Sequence, residues 1–209
     1  MEITPRVRTR AIEWSYGDYE EPLSVHVAWP GEQTVLIGGG DESVDSAVVA
    51  FAREHDVETV IIEHAHVDHY GAVPALVDEL GVTVAAPARD SAALPGIDVD
   101  VPLHDGDIHW GIEPITAPGH TPGNMAYMAD QVLFAGDTVV GSDSQFAADD
   151  DWSGPLAVIE PRFNHDDNRA RESVRRLQGL NVETILVSHG SHVRHSATDA
   201  IETLLSDLR

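Results

Sequence analysis

The sequence predicts a fold that mixes strands and helices, of the α/β or α+β class, in a single domain spanning residues 1–209. Short apolar runs of strand length recur along the chain, and segments with apolar residues at helical spacing lie between them. Gly81 and Gly179 follow two of these helical segments, as C-cap glycines do. The chain has 209 residues, of which 42% are apolar, and this is enough to bury a core.

Eight apolar runs are predicted as strands and four amphipathic segments as helices. The strands are residues 25–29, 34–37, 59–62, 82–86, 112–116, 125–128, 132–135 and 184–187. The helices are residues 43–54, 72–80, 168–178 and 196–208. Residues 141–163 lack either periodicity and include the acidic run from Asp149 to Asp151. This stretch is interpreted either as a solvated loop or as a loop that sets substrate specificity.

The net charge is strongly negative and disfavours two classes of partner. The chain carries 36 Asp and Glu against 12 Arg and no Lys, which gives a charge of −24. Nucleic acid and anionic membranes require clustered cations, whereas the arginines cluster only at residues 6–10 and 169–176. The acidic excess either keeps the surface soluble or adapts it to molar salt, where carboxylates hold water and ions. Its spread along the whole chain and the absence of Lys favour salt adaptation.

The chain has no Cys, so disulfides, thiolate nucleophiles and thiolate metal ligands are excluded. No apolar run approaches the roughly 20 residues of a membrane span. Residues 1–10 also lack the apolar stretch of a signal peptide. The sequence therefore predicts a cytoplasmic protein, in the high-salt cytoplasm of an extreme halophile.

A cluster of histidines directly follows the predicted strand 59–62. The segment from His64 to His69 reads His-Ala-His-Val-Asp-His. In an extended segment His64 and His66 project to the same side, and a turn after them can bring Asp68 and His69 to a second point. Imidazole and carboxylate are ligand types that bind Zn²⁺. Packing does not easily explain four such groups at this spacing, because buried unpaired polar groups are costly.

Three later segments share one form, in which an apolar strand ends in a ligand-type residue beside Gly. Each of them alone is a weak signal, but the set in this order after the first motif is a strong one. They contain His120 in Ala-Pro-Gly-His-Thr-Pro-Gly, Asp137 in Phe-Ala-Gly-Asp-Thr, and His189 in Val-Ser-His-Gly.

With these four motifs, the chain resembles the metallo-β-lactamase-fold hydrolases over about residues 25–190. The resemblance implies an α+β fold, a four-layer αββα sandwich with metal ions at one edge between the two sheets. It also implies a ligand set in which Asp137 bridges two metals. His64, His66 and His120 would hold the first metal, and Asp68, His69 and His189 the second.

Such a centre makes chemical sense independently of the resemblance. Two Zn²⁺ ions roughly 3.5–4 Å apart can share a water, and the pKa of a bound water falls to about 7. The resulting hydroxide attacks a carbonyl or phosphoryl centre while a metal stabilises the developing anion. Asp68 could also orient or deprotonate the nucleophile, so Asp68 and Asp137 are the candidate catalytic residues.

Two positions depart from the family pattern. Gly38 stands where the family usually has an Asp that supports the metal ligands, and Asp41 is a candidate substitute from a shifted position. Glu63 stands before the first His, where Thr is common. Because losing such an outer partner can cost roughly 10–100-fold in metal affinity or activity, we expect lower catalytic efficiency more than lost metal binding.

Several other residues are candidates for roles around the site. Trp152, Phe163 and His165 lie in a region that often lines the substrate entrance in the family, and they are candidate substrate contacts. Tyr70 either lies near the cleft or simply packs. The remaining histidines are interpreted as structural or exposed, with an outer role near the metals considered for His192 and His195.

The first functional hypothesis is hydrolysis of a small ester, thioester or lactone by two Zn²⁺ per chain, since the motifs are similar to the glyoxalase II-like and lactonase-like branch. Only one helix is predicted after His189, so we expect no C-terminal helical domain of the kind with which glyoxalase II holds glutathione. One alternative is a persulfide dioxygenase-like enzyme with one Fe²⁺ on His64, His120 and Asp137. The others are a metal-dependent nuclease or phosphodiesterase and a metal-bound regulator without turnover. A small-molecule substrate is the expected partner, and nothing in the pattern sets an oligomeric state.

Overall fold

A computed structural model describes residues 1–208, in which two sheets lie between outer layers of helices. The helices are α1 (Asp45–Glu54), α2 (Val67–Tyr70), α3 (Val73–Leu80), α4 (Asp167–Ser173) and α5 (Ala197–Asp207). The strands are β1 (Glu2–Thr4), β2 (Val7–Ile12), β3 (Ser15–Tyr16), β4 (Tyr19–Glu20), β5 (Leu23–Ala28), β6 (Val35–Ile37), β7 (Thr59–Ile61), β8 (Thr83–Pro87), β9 (Val101–Leu103), β10 (Glu113–Thr116), β11 (Met125–Ala129), β12 (Val132–Phe134), β13 (Val140–Gly141), β14 (Leu156–Ala157) and β15 (Thr184–Leu186).

The larger sheet has seven strands in the order β1-β2-β5-β6-β7-β8-β9, and the smaller has four in the order β10-β11-β12-β15. The larger sheet is antiparallel from β1 to β6 and parallel from β6 to β9. In the smaller sheet β12 and β15 are parallel and the other pairs are antiparallel. The strand pairs β3–β4 and β13–β14 form separate hairpins.

Three apolar cores separate the four layers. Along β6, Leu36 packs with the core beneath α1 and α3, whereas Val35 and Ile37 face the other sheet. This alternation follows from the period of two in a strand and buries both faces of the sheet. The smaller sheet likewise buries Phe134 between the sheets and Leu133 against α5. The predicted α+β, αββα sandwich is confirmed.

All eight predicted strands and all four predicted helices are present, and their ends agree within two residues except at α4, which ends at Ser173 rather than at residue 178. One 3-10 turn precedes α1 and another follows α4, and with these turns the two helical segments reach nearly their full predicted lengths. In residues 141–163 the prediction missed the short β13–β14 hairpin. The acidic run within that stretch is exposed, as a solvated loop requires.

Strand β2 was missed because it contains no continuous apolar run. Val7 and Thr9 are buried, while Arg8 and Arg10 alternate with them on the opposite face. The Arg10 guanidinium lies 4.6 Å from the centre of the Phe51 ring, so it contributes to packing as well as charge. Among residues 1–208, no helix is both long enough and apolar enough to cross a membrane.

Candidate metal centre

The four segments that carry the predicted ligands each follow the carboxyl end of a strand. The backbone remains extended at His66, and α2 begins at the next residue. The side chains of His64 and His66 therefore join one group, while the helical turn directs Asp68 and His69 into another. His120 follows β10, Asp137 follows β12 and His189 follows β15, all of which belong to the smaller sheet.

The structure brings all seven predicted ligands into two adjoining groups. In the first, Nε2 of His120 lies 3.1 Å from Nε2 of His64 and 2.8 Å from Nδ1 of His66. In the second, Oδ2 of Asp68 lies 3.2 Å from Nε2 of His189 and 3.7 Å from Nε2 of His69. Within each group the facing atoms lie within 4.8 Å of one another, a spacing that can hold a metal ion.

Asp137 lies between the two groups and directs one oxygen to each. Its Oδ2 is 3.3 Å from Nε2 of His120 and 3.8 Å from Nε2 of His64. Its Oδ1 is 3.5 Å from Nε2 of His69 and 3.7 Å from Nε2 of His189. The side chain is only 3% exposed, so this carboxylate is held away from solvent.

The charge states of these side chains fit a divalent cation. Burial and the neighbouring histidines lower the pKa of His64 well below its usual range and that of His66 to about 4, so both imidazoles are neutral. Burial alone would raise the pKa of Asp137, but His189 and His69 outweigh it and lower that pKa well below the usual range. The first group therefore offers neutral imidazole, and Asp137 offers an ionised carboxylate, the forms in which both bind metals. In the second group burial alone would lower the pKa of both histidines, but Asp137 and the other nearby carboxylates outweigh it and raise the pKa of His69 well above its usual range and that of His189 to about 9. A cation that binds there would therefore displace a proton from each of these two imidazoles.

Buried atoms without partners also point to a bound ion. Nε2 of His69 and Oδ1 of Asp137 both face the centre and have no hydrogen-bond partner. A buried polar atom left unpaired costs about 1–3 kcal/mol. A cation coordinated between the groups would satisfy both atoms at once, so the residues fit the metal centre that the fold implies.

Outer side chains hold three of the histidines with Nε2 toward the centre. Oδ1 of Asn164 lies 2.9 Å from Nδ1 of His120, and Oε2 of Glu63 lies 3.2 Å from Nδ1 of His69. Oε1 of Glu21 lies 3.5 Å from Nδ1 of His189, which is an ion-pair distance without hydrogen-bond geometry. Such contacts fix the orientation of a ligating imidazole. Sequence reasoning missed all three roles, since no local pattern ties Asn164 or Glu21 to a distant histidine.

The two departures from the family pattern meet in space. A Cβ placed on Gly38 would lie 3.4 Å from Oε1 of Glu63, so the Glu63 side chain lies beside the empty side of Gly38. Asp41 does not fill this role, because its Oδ1 accepts hydrogen bonds from the backbone and hydroxyl of Ser43 and caps a 3-10 turn. The carboxylate expected beside the centre is thus present, but it comes from the loop after β7 instead of the loop after β6.

A buried aspartate, which the sequence analysis did not single out, joins the first two ligand segments. Asp90 accepts hydrogen bonds from the backbone N–H of Ala65 at 3.1 Å and of Gly123 at 2.6 Å, and also from the Thr121 hydroxyl. These donors lie beside His64, His66 and His120. Asp90 therefore fixes the loop after β7 against the loop after β10.

A cavity of about 230 Å³ opens above the two groups and reaches His66, Asp68, His120, Asp137 and His189. Its walls are largely aromatic, from Trp14, Tyr16, Phe146 and Phe163. Trp14 and Tyr16 were not predicted, because they are remote in sequence from every metal motif. Phe146 was not singled out either, although it lies in the 141–163 stretch. An apolar wall over a polar floor is typical of a small-molecule site.

The three predicted substrate contacts are in different places. Phe163 lines the cavity, and His165 lines an adjoining depression that also reaches His66 and His120. Trp152 does not line either; its indole N–H donates to the carbonyl of Ala148 and its ring packs against the core beneath α5. Tyr70 packs against the core beneath α1 and α3.

His192 lies apart from the candidate metal centre, in a cluster of polar groups that joins β2, β5 and the segment after β15. Its Nδ1 accepts a hydrogen bond from the backbone N–H of Val187, and its Nε2 lies 3.3 Å from the Thr9 hydroxyl. Nδ1 of His26 lies 2.9 Å from the same hydroxyl. Burial, followed by the charge of Arg194, lowers the pKa of His192 to about 4.

This contact predicts a loss of stability in mild acid. The unfolded chain protonates His192 near pH 6.5, whereas the folded chain keeps it neutral to about pH 4, so stability is complete above 6.5 and falls below it. We expect His192→Gln to reduce the slope of unfolding free energy against pH between 6.5 and 5 by up to ~1.4 kcal/mol per pH unit. Denaturant unfolding of both proteins measures this, and equal slopes would contradict it.

Comparison with known proteins agrees with this fold and site. Residues 19–189 match the Metallo-beta-lactamase superfamily, and the chain belongs to that family. A probable metallo-hydrolase, YflN of Bacillus subtilis, is 27% identical over 187 residues, covering 70% of this chain and 69% of that protein. The hydroxyacylglutathione hydrolase of Methylobacillus flagellatus is 33% identical over 97 residues, covering 44% of this chain and 37% of that protein.

The solved structures show the same fold. A metallo-beta-lactamase from Pontibacter korlensis superposes with a TM-score of 0.74 at 20% identity, covering 100% of this chain and 97% of that one. Together the family, the relatives and the candidate metal-binding groups identify a hydrolase of the metallo-β-lactamase fold.

Proposed function

We propose that this protein hydrolyses a small ester, thioester or lactone at a dinuclear zinc centre. The proposed ligands are His64, His66 and His120 on one ion, Asp68, His69 and His189 on the other, and Asp137 on both. The observation that carries the proposal is the placement of Asp137, whose two oxygens each face a separate ligand group at 3.3–3.8 Å.

The residues around the two ligand groups would position the substrate and the attacking water. When bound, a zinc pair supplies an activated water and Lewis-acid stabilisation of the developing anion. Asp68 is the most exposed member of its group, at 14% against 1–3% for the others, and lies at the cavity floor. Its carboxylate is therefore placed to orient the attacking water and accept its proton. The aromatic walls would hold the acyl side of the substrate and exclude bulk water.

The relatives support the substrate class. Hydroxyacylglutathione hydrolases, by their name, act on a thioester, and the matched segment spans less than half of their length. The net charge of −24 disfavours long nucleic acids. The same charge supports a working environment of high-salt cytoplasm, where ions screen the surface.

A second candidate is supported by the first group alone. His64, His120 and Asp137 contact one another at 3.1, 3.3 and 3.8 Å, and two histidines with a carboxylate also suit one Fe²⁺ and oxygen chemistry. This reading leaves Asp68, His69 and His189 without a role, although their facing atoms converge as closely as those of the first group.

Metal analysis combined with a substrate screen tests the proposal. The protein is purified in molar KCl, its metals are counted, and it is assayed with thioesters, lactones, phosphodiesters and a persulfide. We expect two Zn per chain and thioester or lactone hydrolysis. One Fe per chain with oxygen consumption on the persulfide would overturn the proposal, as would cleavage of phosphodiesters alone.

A further inference from the structure

An arginine-lined cleft lies on the far side of the loop that carries His120. The cleft encloses about 390 Å³ between this loop and the segment that contains α4 and the following 3-10 turn. Four of the chain's 12 arginines line it: Arg89, Arg169, Arg175 and Arg176. In a protein with three times as many acidic as basic residues, this concentration of positive charge is unexpected for a surface adapted only to solvent.

Most of this positive charge is not neutralised by the protein. Arg176 pairs with Asp105 at 2.8 Å, but Arg89, Arg169 and Arg175 have no carboxylate partner among residues 1–208. The arginines outside the cleft are mostly paired: Arg8, Arg10, Arg53, Arg162 and Arg171 each contact a carboxylate. One acid, Glu172, also lines the cleft and offsets only part of the charge. The cleft is therefore a local concentration of positive charge on an acidic surface, and such a concentration attracts anions.

The cleft continues toward the metal centre. A depression of about 330 Å³ shares Arg89 and Pro122 with the arginine cleft, and its opposite wall includes His66 and His120. It also shares Phe163 with the cavity above the centre. An extended molecule can therefore lie across the Pro122 loop with one end over the ligand groups and the other among the arginines.

The chemistry of the cleft indicates the kind of anion. Guanidinium groups bind carboxylate and phosphate oxygens in pairs, and they suit multiply charged groups best. A phosphate monoester carries ~−1.5 to −2 charges at pH 7 and so gains more from several neighbouring arginines than a single carboxylate does.

We propose that the substrate is an acyl ester or thioester of a phosphorylated carrier, whose phosphates bind in the arginine cleft while its carbonyl reaches the metal centre. This inference rests on the proposed hydrolase function and narrows its substrate class. Water adds to the carbonyl, the bond to the carrier sulfur or oxygen breaks, and the carrier leaves with a proton as the free thiol or alcohol.

A matched pair of thioesters tests the inference. Acetyl-coenzyme A carries phosphates, whereas S-acetyl-N-acetylcysteamine presents the same thioester without them. We expect wild-type kcat/KM to be at least about tenfold higher for the phosphorylated member, because hydrogen bonds between guanidinium and phosphate are charge-assisted and stronger than neutral ones. Arg169→Gln and Arg175→Gln should each raise KM for that member about five- to tenfold. Both variants should leave kcat/KM for the short thioester unchanged.

Controls separate this inference from the proposed function. Arg53→Gln removes an exposed, paired arginine on α1 and should leave kcat/KM unchanged for both substrates. Equal kcat/KM for the two thioesters, or equal losses on both in the arginine variants, would overturn the inference and leave the hydrolase proposal standing. If neither thioester is hydrolysed, calorimetry with free coenzyme A still tests the cleft. Failure to bind it, or tighter binding of a short oligonucleotide, also overturns the inference.

Discussion

Replacing Asp137 with Ala is expected to abolish metal-dependent hydrolysis, with a loss in kcat of at least about a thousandfold. This side chain lies between the two halves of the centre, with Oδ2 facing one half and Oδ1 facing the other. Without it, the two histidine groups lose the anion that lies between them. We therefore expect metal content to fall from two ions per chain to one or none, as measured on extensively dialysed protein.

The comparison needs a matched acidic variant and a fold check. Asp149→Ala removes one exposed carboxylate from the acidic loop and should retain full activity and metal content. Circular dichroism of both variants shows whether the fold persists. Full activity in a carefully remetallated Asp137→Ala protein would contradict the bridged dinuclear centre.

A complementary variant separates the two groups. His66→Ala removes a ligand from the first group but leaves Asp68, His69 and His189 in place. We also expect it to abolish activity, but with one ion retained in the second group.

The sequence was sufficient to predict the layers and the residues that converge on the candidate centre, for a physical reason. Strand and helix periodicity are local patterns, so a run such as 132–135 could be predicted as a strand without knowing which strands it pairs with. The ligand segments carry their own signal, because several metal-binding side chains occur within a few residues. The division between His64 with His66 and Asp68 with His69 follows from the start of α2 at Val67.

What the sequence could not predict is the surroundings of these ligands. Trp14 and Tyr16 reach the cavity from the N-terminal hairpin, and Glu21 reaches His189 across more than 160 positions. Such contacts depend on how two sheets pack, and no local pattern encodes them. Trp152 shows the reverse error, since its position along the chain suggested a substrate contact while its indole is held by Ala148.

Glu63 is the clearest case in which position along the chain was misleading. Gly38 and Glu63 were read as two separate losses from the family pattern, yet they are neighbours, and the Glu63 carboxylate lies at 3.2 Å from Nδ1 of His69. Glu63 is 1% exposed, so its contact with His69 is screened from water. We accordingly expect no inherent deficit in catalysis from Gly38.

Substitution of Glu63 is expected to weaken the second metal site selectively. Glu63→Leu removes the outer partner of His69, so affinity for the second ion should fall about 10–100-fold while the first group is unaffected. Glu63→Gln keeps an oxygen that can accept from Nδ1–H and should lose less. Titration of metal-free protein with Co²⁺, followed by its absorption, resolves the two sites without relying on activity. Equal weakening of both sites would indicate general unfolding instead.

The decisive variant moves the carboxylate back to position 38. Glu63→Thr alone should behave like Glu63→Leu. When Glu63→Thr is combined with Gly38→Asp, the new carboxylate enters the space that the Glu63 side chain has left, because a Cβ at position 38 lies 3.4 Å from the position of Oε1 of Glu63. Gly38 has a φ of +87°, which Asp tolerates better than most residues at a cost of roughly 1–2 kcal/mol. Because that strain lowers stability, restored affinity for the second ion in the less stable double variant could only come from the charge beside His69. No recovery, with the fold intact, would show that the carboxylate must come from residue 63.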